Sequence, residues 1–151
     1  MIERFERFTY GIFAVSRYWH KITTDEMEKY KLKGPHCVYL LAMSHYPAGV
    51  TAPQLCELCG KDKSDVSRMM GILEKKGMVV KEGVHQKRYG GVFKLTELGK
   101  EAALHVQKRA SLAVELAGRD LSEAQRAAFY EALASIVSNL QTLSEEGLPQ
   151  V

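Results

Sequence analysis

Apolar side chains recur at three- and four-residue spacing along most of the chain. The longest run is Ile2, Phe5, Phe8, Ile12, Val15, Trp19 and Ile22, which predicts a helix over about 2–31. Its stripe is wide, as expected of a helix buried against more than one partner. Lys33-Gly34-Pro35 stops it, and Pro35 suits the first turn of a second helix, where its missing N–H costs nothing. That helix should run to about His45 with Val38, Leu41 and Ala42 inward, followed by a Tyr46-Pro47-Ala48-Gly49 loop. Thr51 and Gln54 have capping-box spacing ahead of a short helix over 52–59, which Gly60 ends.

The next helix is expected between Lys61 and Gly77. Asp62 suits its N-cap, because its carboxylate can accept from free backbone N–H groups of the first turn. Val66, Met69, Met70 and Leu73 form one apolar face, and Gly77 can take the left-handed conformation after the last turn. The opposite face is short, polar and basic: Ser64, Asp65, Ser67 and Arg68, with Lys61 and Lys63 before them. Two short helices, a tight turn and a basic helix follow helix-turn-helix grammar. A small polar face on a helix held by its back is what a major-groove reader needs.

Beyond Gly77 the period falls to about two. Strands are predicted over 78–82 and 92–95, joined by a loop with glycines at both ends and Lys87 and Arg88 at its tip. Helical spacing returns with Leu98, Ala102, Val106, Ala110 and Val114, capped by Thr96. A second capping box, Ser122 to Gln125, opens the last helix. There Phe129, Leu133, Ile136, Leu140 and Leu143 step by four, three, four and three, a heptad-like seam that points to a subunit interface. The fold class expected is mainly α with a small β-hairpin wing.

Composition adds little to that picture and charge distribution adds more. With 46% hydrophobic and 26% charged residues in 151, a packed core is expected. No apolar run approaches the ~18–20 residues of a membrane span, and the first residues mix acid and base without an apolar signal region, so a cytoplasmic protein is expected. The net charge of +3 is uneven: residues 61–96 carry +5 and residues 97–151 carry −3. The positive charge is thus concentrated on the candidate reader and the hairpin, where it would attract a polyanion.

The order of elements resembles the MarR family of winged helix-turn-helix regulators. The resemblance rests on D-K-S-D-V-S-R-M-M-G-I-L-E-K-K-G-M-V, F-K-L-T-E-L-G-K and L-S-E-A-Q-R-A-A-F-Y-E-A-L, and covers nearly the whole chain. It implies a DNA-binding lobe over 34–96 and a dimerisation lobe from 1–33 and 97–151. It implies a homodimer, with Ile2, Phe5, Phe129, Leu133, Ile136 and Leu140 among its interface residues, that reads a pseudo-palindromic double-stranded site. Ser64, Asp65, Ser67 and Arg68 match the family's groove-facing positions, and Lys87 and Arg88 its wing tip. Wings of this family commonly carry an Asp two residues before the Arg. Here that place is Gln86, so a less sequence-selective Arg88 contact is expected. The resemblance also implies a repressor released by a small aromatic or anionic effector. Trp19, His20, Tyr39 and Met43 are the candidate pocket, against the alternative that they are plain core.

Sensor chemistry is the other question. Cys56 and Cys59 form a C-x-x-C without a second ligand pair, and Cys37 stands alone near a helix start. A thiol- or metal-sensing regulator of the same fold is one alternative, and a winged-helix protein-interaction module without DNA reading is another. No nucleophile with its base, phosphate-binding glycine loop or spaced carboxylate pair is present, so catalysis is not expected and no metal or cofactor is assigned.

Overall fold

The computed structural model describes residues 2–83 and 91–151. The wing-tip residues Lys87 and Arg88, Gln86, and the side chain of Ile2 lie outside the described residues. Among the described residues, six helices and one antiparallel hairpin follow in the order α1 (Ile2–Glu28), α2 (His36–Ser44), α3 (Ala52–Cys59), α4 (Lys63–Lys75), β1 (Val79–Glu82), β2 (Val92–Leu95), α5 (Glu97–Ala117) and α6 (Glu123–Glu146). This is a winged helix-turn-helix arrangement, mainly helical. The chain divides into two compact units, Met1–Ser111 and Leu112–Val151.

The first unit holds the core. Met27, Leu32, Tyr39, Leu40, Val50, Leu55, Met70, Leu73, Met78 and Phe93 are buried in one cluster with Ala102, Ala103 and Val106 of α5. The hairpin pairs Val79 with Leu95 and Glu82 with Val92. Val50 adds a third, one-residue participant to the sheet. Its N–H donates to the Phe93 carbonyl at 3.0 Å and its carbonyl accepts from the Phe93 N–H at 2.8 Å. The chain entering α3 is thereby stitched to the wing.

The local signals act as their chemistry dictates. Thr51 and Gln54 close a capping box on α3, and Gly60 ends that helix at φ +61°. The Thr96 hydroxyl donates to the Gly77 carbonyl at 2.6 Å and accepts from the Gly99 N–H at 3.1 Å, joining the end of α4 to the start of α5.

Helix α2 departs from expectation. Val38 is exposed and Leu41 and Ala42 are half-buried, while His36, Cys37, Tyr39, Leu40 and Met43 point inward. His-Cys-Val-Tyr-Leu-Leu-Ala-Met is apolar on nearly every side, so periodicity alone does not select a face. In α5, Ala102 and Val106 are buried as expected, but Leu98 and Val114 are exposed and Gly99 and Ala103 are buried instead. Most of the α1 stripe is exposed in the single chain, from Phe5 to Ile22, and the fully buried residue of that helix is Met27.

The second unit is the end of α5 and α6. Arg126 clamps the turn between them: its guanidinium donates to Glu115 Oε2 at 2.6 Å and to the Gly118 carbonyl at 2.8 Å. The Ser122–Gln125 capping box is formed. No residue of α6 is buried: Leu133 is half-buried, and Phe129, Ile136 and Leu140 are exposed.

Candidate nucleic-acid interface

The basic helix α4 is held from behind. Val66, Met69, Met70 and Leu73 are buried along its length, and α3 and β1 both pack on it. Its start is fixed by Asp62, whose Oδ1 accepts from the Asp65 N–H at 2.7 Å. Its end is closed by the Met78 N–H donating to the Leu73 carbonyl at 3.0 Å across Gly77, which sits at φ +71°. Such a helix presents a rigid outward face.

That face carries Ser64, Ser67 and Arg68, all exposed, preceded by exposed Lys61 and Lys63. The hydroxyls can donate or accept toward a base edge or a phosphate. A guanidinium can take a guanine edge in two bonds or clamp a phosphate.

Asp65 is the correction. Its carboxylate does not stand free on this face. Oδ2 accepts from the Tyr39 hydroxyl at 2.5 Å, and Oδ1 accepts from Arg68 Nη2 at 2.6 Å. The side chain is only 20% exposed, against 68% for Arg68. The Tyr39 bond, and then the Arg68 bond, hold the Asp65 carboxyl below its ordinary range. Burial, and then the bond to Asp65, push the Tyr39 hydroxyl well above the ordinary phenol value. The reason lies in α2. Tyr39 is fully buried, its hydroxyl needs an acceptor, and Asp65 supplies one from the facing helix.

The expected effector residues differ in their surroundings. Tyr39 is core, and Trp19 and His20 are exposed on α1. Met43 lines a cavity of about 280 Å³, whose other walls are Ser44, Tyr46, Pro47, Leu95, Lys100, Ala103, Leu104 and Gln107. Lys100 and Gln107 are the polar groups that sequence reasoning missed. Their helical spacing was visible, but not that their turns of α5 face the end of α2.

The cysteines are all free thiols. Cys37 is buried, and burial pushes its thiol up. Burial and then the neighbouring Cys56 push Cys59 up as well. Both shifts are away from the thiolate that redox or metal chemistry requires. Among the described residues no group of three or more His, Cys, Asp or Glu side chains is placed to hold a metal, and no helix is long and apolar enough to cross a membrane.

Residues 30–88 match the family model of the MarR family. The sequence has no significant match among curated proteins. Solved structures share its fold. A MarR-family chain from Listeria monocytogenes, complexed with 26mer DNA, is 18% identical at a TM-score of 0.80, over 95% of this chain and 97% of that one. A MarR transcriptional regulator from Methanosarcina mazei is 21% identical at a TM-score of 0.80, over 91% of this chain and 99% of that one. The Staphylococcus aureus MepR–DNA complex is 15% identical at a TM-score of 0.79, over 87% and 96%.

Proposed function

Because residues 30–88 are a MarR-family segment and the chain has a winged helix-turn-helix fold, we propose that it is a dimeric, cytoplasmic DNA-binding transcriptional regulator, a repressor released by a small-molecule effector. One observation carries the reading. Helix α4 is packed on its inner face by α3 and β1 and turns Ser64, Ser67 and Arg68 to solvent, with Lys61 and Lys63 at its start. Residues 34–96 are the DNA-binding lobe, and 1–33 with 97–151 the dimerisation lobe. Lys87 and Arg88 serve at the wing tip, where a cationic side chain suits the negative potential of a narrow minor groove. DNA complexes among structures of this fold support double-stranded DNA as the partner.

The proposed release acts through the spacing of the two α4 helices. Two copies of α4 must stand one helical turn apart, about 34–36 Å, to enter successive major grooves. A ligand that binds better to a different spacing lowers affinity by its preference for that state. The cavity beside Met43, Tyr46 and Lys100 supports a place for a small aromatic or anionic effector.

The test is fluorescence anisotropy on duplexes from the promoter region next to the protein's own gene. Affinity should exceed that for random duplex and fall with salt by about 0.9 log units per log salt for each phosphate neutralised. Equal affinity for random duplex at low salt would refute sequence reading and leave the protein-interaction module.

A further inference from the structure

We propose that the buried Tyr39 hydroxyl is a positioning group for DNA reading: through the Asp65 carboxylate it holds the guanidinium of Arg68 on the outward face of α4. The proposal rests on the reading of α4 as the DNA-facing helix.

An Asp and an Arg three residues apart on an exposed helix normally make a loose pair, since both side chains can swing into water. Here the acid cannot swing. Its Oδ2 is bound by Tyr39 at 2.5 Å and its backbone N–H by Asp62 at 2.7 Å, so both ends of the residue are anchored. Tyr39 is itself immobile, fully buried on α2 among Leu40, Leu55 and Val66. A tyrosine has only two side-chain torsions, and burial fixes both. The order of the core is thus passed through one carboxylate to Arg68 Nη2 at 2.6 Å. A guanidinium carries five N–H donors. One is used on Asp65, and the others remain for a base edge or phosphate. Because Asp65 is paired on both oxygens, its charge is compensated and does not stand open to repel the phosphate backbone.

The arrangement lowers the ordering cost that a long, free arginine would incur on binding. That cost, for one rotamer-rich side chain, corresponds to roughly a 2- to 12-fold change in affinity. It also favours one register of the guanidinium, so its loss should fall on the selected sequence rather than on DNA in general.

The experiment uses the full chain and two probes: the duplex that the wild-type protein enriches from a randomised library, and a scrambled duplex of the same composition. Tyr39→Phe keeps the ring and its packing. It should weaken binding to the enriched duplex by roughly 3- to 10-fold and leave the scrambled duplex unchanged. In an Arg68→Ala background the same substitution should have no further effect. In the free protein, nitrogen relaxation of the Arg68 Nε–H group should report an ordered side chain in wild type and a mobile one in Tyr39→Phe. Should Tyr39→Phe not fold, Asp65→Asn enters the same cycle. It should weaken the enriched duplex and leave the scrambled one unchanged, because the paired carboxylate does not face the phosphate backbone. Equal losses on both duplexes, an undiminished loss in the Arg68→Ala background, or equal Arg68 mobility in both proteins would overturn the proposal. If Arg68→Ala leaves the enriched duplex fully bound, Arg68 is not a DNA contact and the proposal falls while sequence reading stands. If the library yields no enriched duplex, the functional reading falls and only the structural contact stands.

Discussion

Glu26 joins the end of α1 to α5 through His105 and Arg109 and pairs locally with Lys29. Lys29 Nζ lies at 2.7 Å, His105 Nε2 at 2.9 Å and Arg109 Nε at 3.0 Å. The Lys29 bond most of all, with His105 and Arg109, lowers its carboxyl to about 2 against the opposing effect of burial. A carboxylate lowered on folding contributes stability above its unfolded value, and the contribution fades as pH falls through the folded one. Wild type should therefore lose this contribution between about pH 4.5 and 2, whereas Glu26→Gln should show a shallower acid slope there. Lys29 and Arg109 are about half exposed, so screening reduces the effect at neutral pH to roughly 1–2 kcal/mol. Urea unfolding across pH measures it. Asp62 offers a simpler case: Asp62→Ala removes the acceptor for the Asp65 N–H and should cost about 1 kcal/mol in the same assay. Asp62 was legible from sequence because capping is local. The role of Asp65 was not, since its partner Tyr39 lies 26 residues away and no local pattern joins them.

Among elements, α4 and α5 show what a glycine does in two settings. Nothing lies within 4 Å of where a Cβ on Gly71 would stand, and its backbone is ordinary helix. The glycine is a helix-propensity cost without a packing return, so Gly71→Ala should raise stability by up to about 1 kcal/mol and leave the outward face of α4 unchanged. Gly99 is the opposite case. A Cβ there would run into the Met78 carbonyl and lie 3.1 Å from Leu95 Cδ2, so α5 docks on the hairpin only without one. Gly99→Ala should lower stability by roughly 1–3 kcal/mol or more, read as a fall in thermal midpoint. Sequence periodicity placed both helices, because an amphipathic pattern of adequate length identifies its own element. It did not set the inward face of α2, whose eight leading residues are apolar almost all round, nor reveal the cavity, whose walls come from segments about 50 residues apart.

For the whole molecule the decisive fact is apolar surface at both ends of the chain. Helix α6 is long, yet none of its residues is buried in the single chain, and Phe129 and Leu140 stand 52% and 48% exposed. On α1, Phe5 is 71% exposed. Helices gain most of their stability from packing an apolar face, and exposed patches of this kind mark association surfaces. The negative net charge of residues 97–151, against the positive one of 61–96, leaves the C-terminal part suited to a protein partner rather than to DNA. On the proposed reading the partner is a second copy of the chain, which would make one α4 into two for a pseudo-palindromic site. The chain should therefore sediment as a dimer, and its melting midpoint should rise with protein concentration, because dissociation is coupled to unfolding. Phe129→Glu combined with Leu140→Glu places like charges on the same seam. It should give a species of monomer mass with reduced helicity and a midpoint independent of concentration. It should also lose most of the preference for a two-half-site duplex, because each lobe then binds alone without the effective concentration that linkage provides. A wild-type chain of monomer mass with a concentration-independent midpoint would instead assign these faces to some other partner.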